Sequence, residues 1–322
     1  MITMAEEIRI GHLSTLYHTS FILKGSKIAE ELGVRIRWRL FPTGPDIVDA
    51  FERGWLDLGY IGLPPAIAGI GRGLEIKCVA GGHIEGTVLV GSRGFLPFKT
   101  VSESLAQFRG GSIGTPRKGS IHDVIMRKLV RDACLDDQVE IKNYDWADFI
   151  LDAMIDGDVE GGCGTPPLAV LATQRLKASI ILPPEVMWPY NPSYGIVATE
   201  RLIEDSTQFL EEFLRRHEEA CNFIRMRPKE AAEKVAGGWG VIDPEFALEV
   251  FKISPKYCAS LPERYIASTV AFAALLTETG DIPRELDEEE VFDTRAITRV
   301  HLERDHYGDP GNLYIRKSGS QL

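Results

Sequence analysis

Closely spaced cysteines are missing from this sequence. Its five cysteines, Cys78, Cys134, Cys163, Cys221 and Cys258, stand singly, with no CxxC or Cys/His ligand spacing. That excludes a dense disulfide framework and gives no sign of a structural zinc, so no metal is expected. Most of the cysteines read as core residues. Positive charge is also short: 36 Lys and Arg face 47 Asp and Glu, a formal net charge of -11. A nucleic-acid partner requires a basic face that displaces counterions, so none is expected. An anionic ligand stays open, because the field in a pocket comes from dipoles and a few nearby groups. No apolar run approaches the roughly 20 residues that cross a bilayer, which argues against membrane insertion. The opening MITMAEEIRIGH has no basic stretch followed by an apolar one, so it shows no signal peptide. As written the chain reads as soluble and cytoplasmic, or as extracytoplasmic had a leader been removed.

What is present suits packed cores. At 322 residues, with 44% apolar and 26% charged residues, the chain fits two ordinary domains or one large one. IRIGH (8–12) alternates apolar and polar residues and leads into a loop, LSTLYHTS. Helical spacing runs from Ser20 to Leu32, and VRIRWRLF (34–41) alternates as a half-exposed strand. A helix is expected from the Pro of TGPDIVDAFERG to its final Gly, followed by the strand LGYIG, the helix PPAIAGIGRG and the strand EIKCVAGG. The rhythm restarts after FLPFKTVSESL with GGSIGTPRKGS and continues to ASIILPP. Strands alternating with helices in this way predict parallel βαβ units, an α/β fold class. From about Thr199 long amphipathic helices take over, and the charged tail after Pro283 is expected to drape over the surface.

One phrase occurs twice. GYIGLPPAIA (59–68) matches GGCGTPPLAV (161–170), each a short Gly-rich strand, a Gly, and a Pro pair opening a helix. Either two similar α/β units aim these turns at one cleft, where open parallel sheets hold ligands, or the words recur because strand-to-helix turns favour Gly and Pro.

The succession of TGPDIVDAFERGWLDLGYIG and GSIGTPRKGSIHDVIMRKLV resembles the substrate-binding proteins of ABC transporters. The branch it is similar to handles nitrate, alkanesulfonates and the thiamine-precursor pyrimidine. The resemblance covers roughly residues 8–200. It implies a type II periplasmic-binding fold, two α/β lobes joined by two crossing strands, with a helical C-terminal part. The crossings fall near GTVLVGSR (86–93) and SYGIVAT (193–199). Lobe one would hold residues 1–88 and 197–322, and lobe two residues 89–196. The ligand would be a small anionic or ring-bearing metabolite, and the partner a permease.

The loops after successive strands supply candidate ligand-binding residues. They are Thr15 and Tyr17 in the first loop, Thr43 and Gly44 in the second, and Gly62 and Leu63 in the third. Across the cleft stand Gly119 and Ser120, then Trp146 and Thr165. Helix starts carry partial positive charge and hold anions, and Arg117–Lys118 would strengthen that field. Alternatively Ser120 is an ordinary N-cap and the basic pair is solvated. The Pro pairs lack N–H donors and read as rigid walls. GTPRKGS lacks the spacing of a phosphate-binding P-loop. In PPEVMWPYNPSY (183–194), Trp188, Tyr190 and Tyr194 either stack on a ligand or pack under their own loop. His12, His18, His83 and His122 read as structural histidines, and Asp145 as the N-cap of WADFILDAMIDG.

A binding protein needs no catalytic residues, and no convincing nucleophile–base pair is present. No cofactor is expected. The rival is a cytosolic enzyme on the same fold, similar to chorismate dehydratases or to the suicidal pyrimidine synthases. The latter would demand clustered cysteines and a lysine for pyridoxal phosphate, whereas the cysteines are isolated and Lys118 is a weak candidate.

Overall fold

The computed structural model describes residues 7–240 and 242–309. The chain begins with β1 (Glu7–Leu13), α1 (Ser20–Lys24), α2 (Ile28–Glu31), β2 (Arg35–Phe41), α3 (Gly44–Glu52), β3 (Leu58–Ile61), α4 (Leu63–Gly71) and β4 (Ile76–Ile84). It crosses through residues 85–87 into β5 (Val88–Gly91), α5 (Val101–Ala106), β6 (Ser112–Pro116), α6 (Ile121–Asp132) and β7 (Glu140–Tyr144). There follow α7 (Phe149–Asp156), β8 (Gly161–Gly164), α8 (Pro166–Leu176) and β9 (Ser179–Leu182). It returns through 183–191, which carries α9 (Pro184–Met187), into β10 (Pro192–Thr199). The rest is helical: α10 (Glu200–Asp205), α11 (Thr207–Met226), α12 (Pro228–Trp239), α13 (Pro244–Ile253), α14 (Glu263–Glu278), α15 (Glu288–Val291) and α16 (Arg295–Val300).

Two five-stranded sheets result, in the orders β2-β1-β3-β10-β4 and β7-β6-β8-β5-β9. In the first, β1 pairs in parallel with β2 and β3, and β10 runs antiparallel to β3 and β4. In the second, β6 pairs in parallel with β7 and β8, and β5 runs antiparallel to β8 and β9. The antiparallel member of each sheet is the strand that has just crossed over from the other. The repeated phrase occupies equivalent places, β3 with α4 and β8 with α8.

The crossings hold each other. The Glu85 amide donates to Asn191 O at 2.8 Å, and the Tyr190 amide donates to Glu85 Oε1 at 2.8 Å. The other carboxylate oxygen of Glu85 pairs with Lys256. Glu85 and Tyr190 both adopt left-handed backbone, φ 58° and 63°. Such non-glycine conformations persist where surrounding contacts over-determine them, as at a hinge.

Several sequence expectations need revision. The helix expected over 20–32 is two short pieces, broken at Gly25–Lys27, where α1 ends on Gly25. The helix after β7 starts at Phe149 with Asp148 at its N-cap, so Asp145 caps nothing. Residues 284–309 of the segment expected to drape are packed instead, and 310–322 lie outside the described residues. Phe292 bridges Cys78 of β4, Val291 and Tyr307 are buried, and the Tyr307 hydroxyl donates to Cys258 O at 2.6 Å.

The first sheet's core centres on Tyr194 of β10, fully buried. Its ring lies 4.0 Å from His18 and 5.8 Å from Tyr60, centroid to centroid. A Cβ at Gly82 of β4 would come within 2.2 Å of that ring, so only glycine admits the tyrosine there. The Tyr194 hydroxyl accepts the Thr19 amide proton at 3.2 Å, which ties the loop after β1 to β10. Tyr194→Phe leaves that buried donor without its acceptor and is expected to cost about 1–3 kcal/mol. The measurement is the urea midpoint at unchanged slope. An unmoved midpoint would mean that Thr19 finds another acceptor.

Candidate functional site

The carboxyl ends of the parallel strands of both sheets open on one cavity, the place where open α/β sheets hold ligands. From the first sheet it is lined by the loop after β1 (Ser14, Thr15, Tyr17, His18), by Thr43 and Gly44 after β2, and by Gly62 after β3. From the second come Ser120 and His122 after β6, Ala147 after β7 and Thr165 after β8. Ser193, at the start of β10, closes one side. With the halves this close the volume is about 30 Å³, room for a water or two, so a larger ligand needs the halves further apart. The halves are drawn together over it.

The lining contains no Lys, Arg, Asp or Glu side chain among the described residues. Its field comes instead from four helix starts, since the N-cap residues of α3, α4, α6 and α8 are Thr43, Gly62, Ser120 and Thr165. Each helix start carries about half a positive charge, and four converge on one small space. Pro45, Pro64, Pro65, Pro166 and Pro167 sit in the first turns of α3, α4 and α8 and withdraw N–H donors there. Ser120 does cap α6, its hydroxyl accepting the Asp123 amide at 3.3 Å.

Polar side chains finish the wall. The Tyr17 hydroxyl lies 3.0 Å from Ser193 Oγ, and His122 Nδ1 lies 2.9 Å from Thr87 Oγ1. Thr15 is 5% exposed and His18 1% exposed, and neither Thr15 Oγ1 nor His18 Nδ1 has a hydrogen-bond partner. A buried polar atom left so costs about 1–3 kcal/mol, a cost that a ligand's own polar atoms would remove. Burial pushes the His122 imidazole down to about 4. Burial, helped by neighbouring histidines, holds His18 well below its usual range. Both rings are therefore neutral at neutral pH and can each donate and accept.

Of the residues singled out in the sequence, Thr15, Tyr17, Thr43, Gly44, Gly62, Ser120 and Thr165 meet at the cavity. Leu63 is buried in the core at the first position of α4. Gly119, at φ 82°, donates its amide to Asp123 Oδ2 at 2.9 Å and sits on the outer rim against Pro45. Trp146 is half-buried beside Ala147, outside the lining. Tyr194 lies behind the wall. Trp188 stacks on Phe272 at 3.9 Å and donates to Ser268 Oγ at 3.0 Å. The Tyr190 hydroxyl donates to Asp305 at 3.2 Å. Both rings of the Pro-rich loop thus face the C-terminal helices. Arg117 adds no field to the cavity, because it spans the cleft outside it, 2.5 Å from Asp46 and 3.0 Å from Asp49 of α3. His18, His122 and Ser193 were missed as lining residues. The signal for the two histidines was their position at strand-end loops, and Ser193 gave none.

The chain matches the family model described as NMT1-like over residues 4–238. No match was found among curated protein sequences. Among solved structures it is similar to the periplasmic aliphatic sulphonate binding protein SsuA from Escherichia coli. The TM-score is 0.76 at 18% identity, over 90% of this chain and 93% of that one. The alkanesulfonate-binding protein SsuA from Xanthomonas axonopodis pv. citri, bound to MOPS, gives 0.77 at 18% identity over 89% and 98%. The periplasmic nitrate-binding protein NrtA from Synechocystis gives 0.75 at 12% identity over 96% and 92%. These likenesses show the fold, the two-lobed α/β architecture of the type II periplasmic-binding proteins.

Proposed function

The chain belongs to the NMT1-like family, and from that premise we propose that it is a solute-binding protein of an ABC importer. Its lobes are residues 7–84 with 192–309, and residues 88–182, and they close on a small ligand bearing an anionic head of the sulfonate or nitrate kind. The observation that carries this reading is the cavity itself: four helix starts, a ring of hydroxyls, and the unpartnered Thr15 Oγ1 and His18 Nδ1. A site without a lysine or arginine suits a singly charged oxyanion held by hydrogen bonds. The partner would be a membrane permease that receives the ligand when the lobes open. No described helix is itself long and apolar enough to cross a membrane.

The test is a thermal-shift panel of nitrate, sulfate, alkanesulfonates and aminopyrimidines, followed by calorimetry. A ligand at a thousandfold over its Kd should add about 4 kcal/mol of stability. Thr15→Val should weaken it by about tenfold or more, the loss of one buried hydrogen bond. Full affinity in Thr15→Val would move the site elsewhere. A ligand recovered chemically altered would replace the binding reading with an enzymatic one.

A further inference from the structure

Four side chains distant in sequence turn one atom each toward a common point beside the first sheet. Glu218 lies on α11, Cys258 follows α13, and His301 and His306 follow α16. Cys258 Sγ is 3.3 Å from His301 Nε2 and 3.8 Å from His306 Nδ1. Glu218 Oε1 is 3.8 Å from His301 Nε2 and 3.4 Å from His306 Nδ1. All four ligand atoms lie within 4.8 Å of one another. We propose that Glu218, Cys258, His301 and His306 form a four-coordinate structural metal site of zinc type, which fastens the C-terminal segment to α11 and the strand of chain after α13.

The spacing is that of a coordination shell. A tetrahedral zinc with bonds of about 2.0–2.3 Å holds its ligand atoms about 3.3–3.6 Å apart, close to the separations seen. Direct hydrogen bonding accounts for only part of the cluster, because the single Cys258 thiol proton can serve only one of Ser260 Oγ at 3.1 Å, His301 Nε2 and His306 Nδ1. His301 Nδ1 lies 3.0 Å from Glu303 O, a carbonyl that only accepts, so Nδ1 carries the proton and Nε2 presents a lone pair to the cluster. His306 Nε2 faces the Glu303 carboxylate at 3.6 Å on the outer side, which leaves Nδ1 as the nitrogen turned toward the cluster. These outer contacts are the kind that orient metal-binding histidines. Glu218 Oε2 accepts the Ala259 amide at 2.6 Å, whereas Oε1 is buried without a hydrogen-bond partner. The His306 amide points at Cys258 Sγ at 3.4 Å, a contact suited to a thiolate. Electron-pair donors therefore converge where a cation is the missing element. Thiolate and carboxylate together balance a divalent charge. One sulfur, two imidazole nitrogens and one oxygen suit zinc and not the oxygen-seeking magnesium or calcium. Four protein ligands leave no open position, which marks the site as structural.

The experiment begins with metal analysis of the purified full chain, then removal of the metal by chelator and titration with cobalt(II) or zinc alone. One equivalent of zinc per chain is expected. Cobalt should give the near-ultraviolet thiolate-to-metal absorption and the strong visible bands of a tetrahedral ion. Both should vanish in Cys258→Ser. In His306→Ala, whose change lies on the outer segment, metal affinity should fall at least tenfold. Chelation should also speed proteolytic cleavage within residues 302–304, the exposed stretch between the two histidines. A folded full chain that binds neither ion would overturn the proposal. So would a thiolate band that survives Cys258→Ser, since another cysteine, such as the exposed Cys134, would then be the ligand.

Discussion

Acidification from pH 7 to pH 5 is expected to unfold the protein or bring it close to unfolding. Five histidines of the first sheet and the cleft are buried: His12, His18, His83, His122 and His217. Burial depresses them, to about 4 for His12, His122 and His217, to about 3 for His83, and well below the usual range for His18. Nearby positive charge adds to this, from Lys24 at His12 and Lys256 at His83. In the unfolded chain each would titrate near 6.5. Between about pH 6.5 and 4 the unfolded state therefore binds more protons, so stability rises with pH across that window. The stabilisation is complete above about 6.5 and is lost as pH falls toward the folded values. Each histidine should contribute a loss of about 1–2 kcal/mol between pH 7 and 5. Together they reach on the order of 5–10 kcal/mol, as large as the whole stability of many domains.

The hydrogen bonds show why protonation has nowhere to go. His217 Nε2 donates to Gly81 O at 2.9 Å, so its Nδ1 accepts from the Thr19 hydroxyl at 2.7 Å. A proton on Nδ1 would force the Thr19 hydroxyl to turn from donor to acceptor and would bury a charge with no counter-ion in contact. The measurement is Tm against pH, with proton uptake on unfolding near pH 5 as the companion. In His217→Gln the dependence should be shallower by about one proton. A Tm flat between pH 7 and 5 would show that these rings already carry charge or contact water in the native state.

Much of the fold was legible because βαβ rhythm is local. Alternation in VRIRWRLF and the Gly–Pro turns around β3 and β8 mark strand ends without any tertiary information. The strand-end loops then delivered Thr15, Thr43, Gly62, Ser120 and Thr165 to the cavity, because in such sheets topology alone decides where loops gather. What failed depends on contacts between distant segments. Nothing in PSYGIVAT tells that Pro192 pairs with Ile84. Trp188 and Tyr190 looked available for a ligand until α14 and the C-terminal segment supplied Phe272 and Asp305. The absence of CxxC spacing argued against a metal. Yet His301 and His306, with four residues between them, meet Cys258 and Glu218 only through the packing of α11, α13 and α16.

Gly62→Val is expected to lower ligand affinity by about 100-fold while leaving both lobes folded. Gly62 caps α4 at the point where the halves touch. A Cβ there would lie 3.1 Å from Ile121 Cγ2 across the cleft, and 3.2 Å from Ile121 Cβ and from Ser193 O. Alanine already demands a shift of a few tenths of an ångström, and two further methyl groups demand more. Overpacking of this kind costs about 1–3 kcal/mol. On the proposed function, the contact with Ser193 O stays within one half, whereas the part of this strain that comes from Ile121 is relieved when the halves move apart. The Arg117 bridge to Asp46 and Asp49 opposes that only weakly, because all three groups are partly exposed. If binding requires closure, as the proposed function has it, a closed state disfavoured by about 3 kcal/mol reduces apparent affinity by about two orders of magnitude. Calorimetry with the tightest sulfonate or nitrate ligand reads the affinity, and small-angle scattering reads the opening as a larger radius of gyration. An unchanged radius with lost affinity would mean that valine blocks the cavity rather than the hinge motion. Unchanged affinity would mean that the ligand is held without the two halves meeting at Gly62.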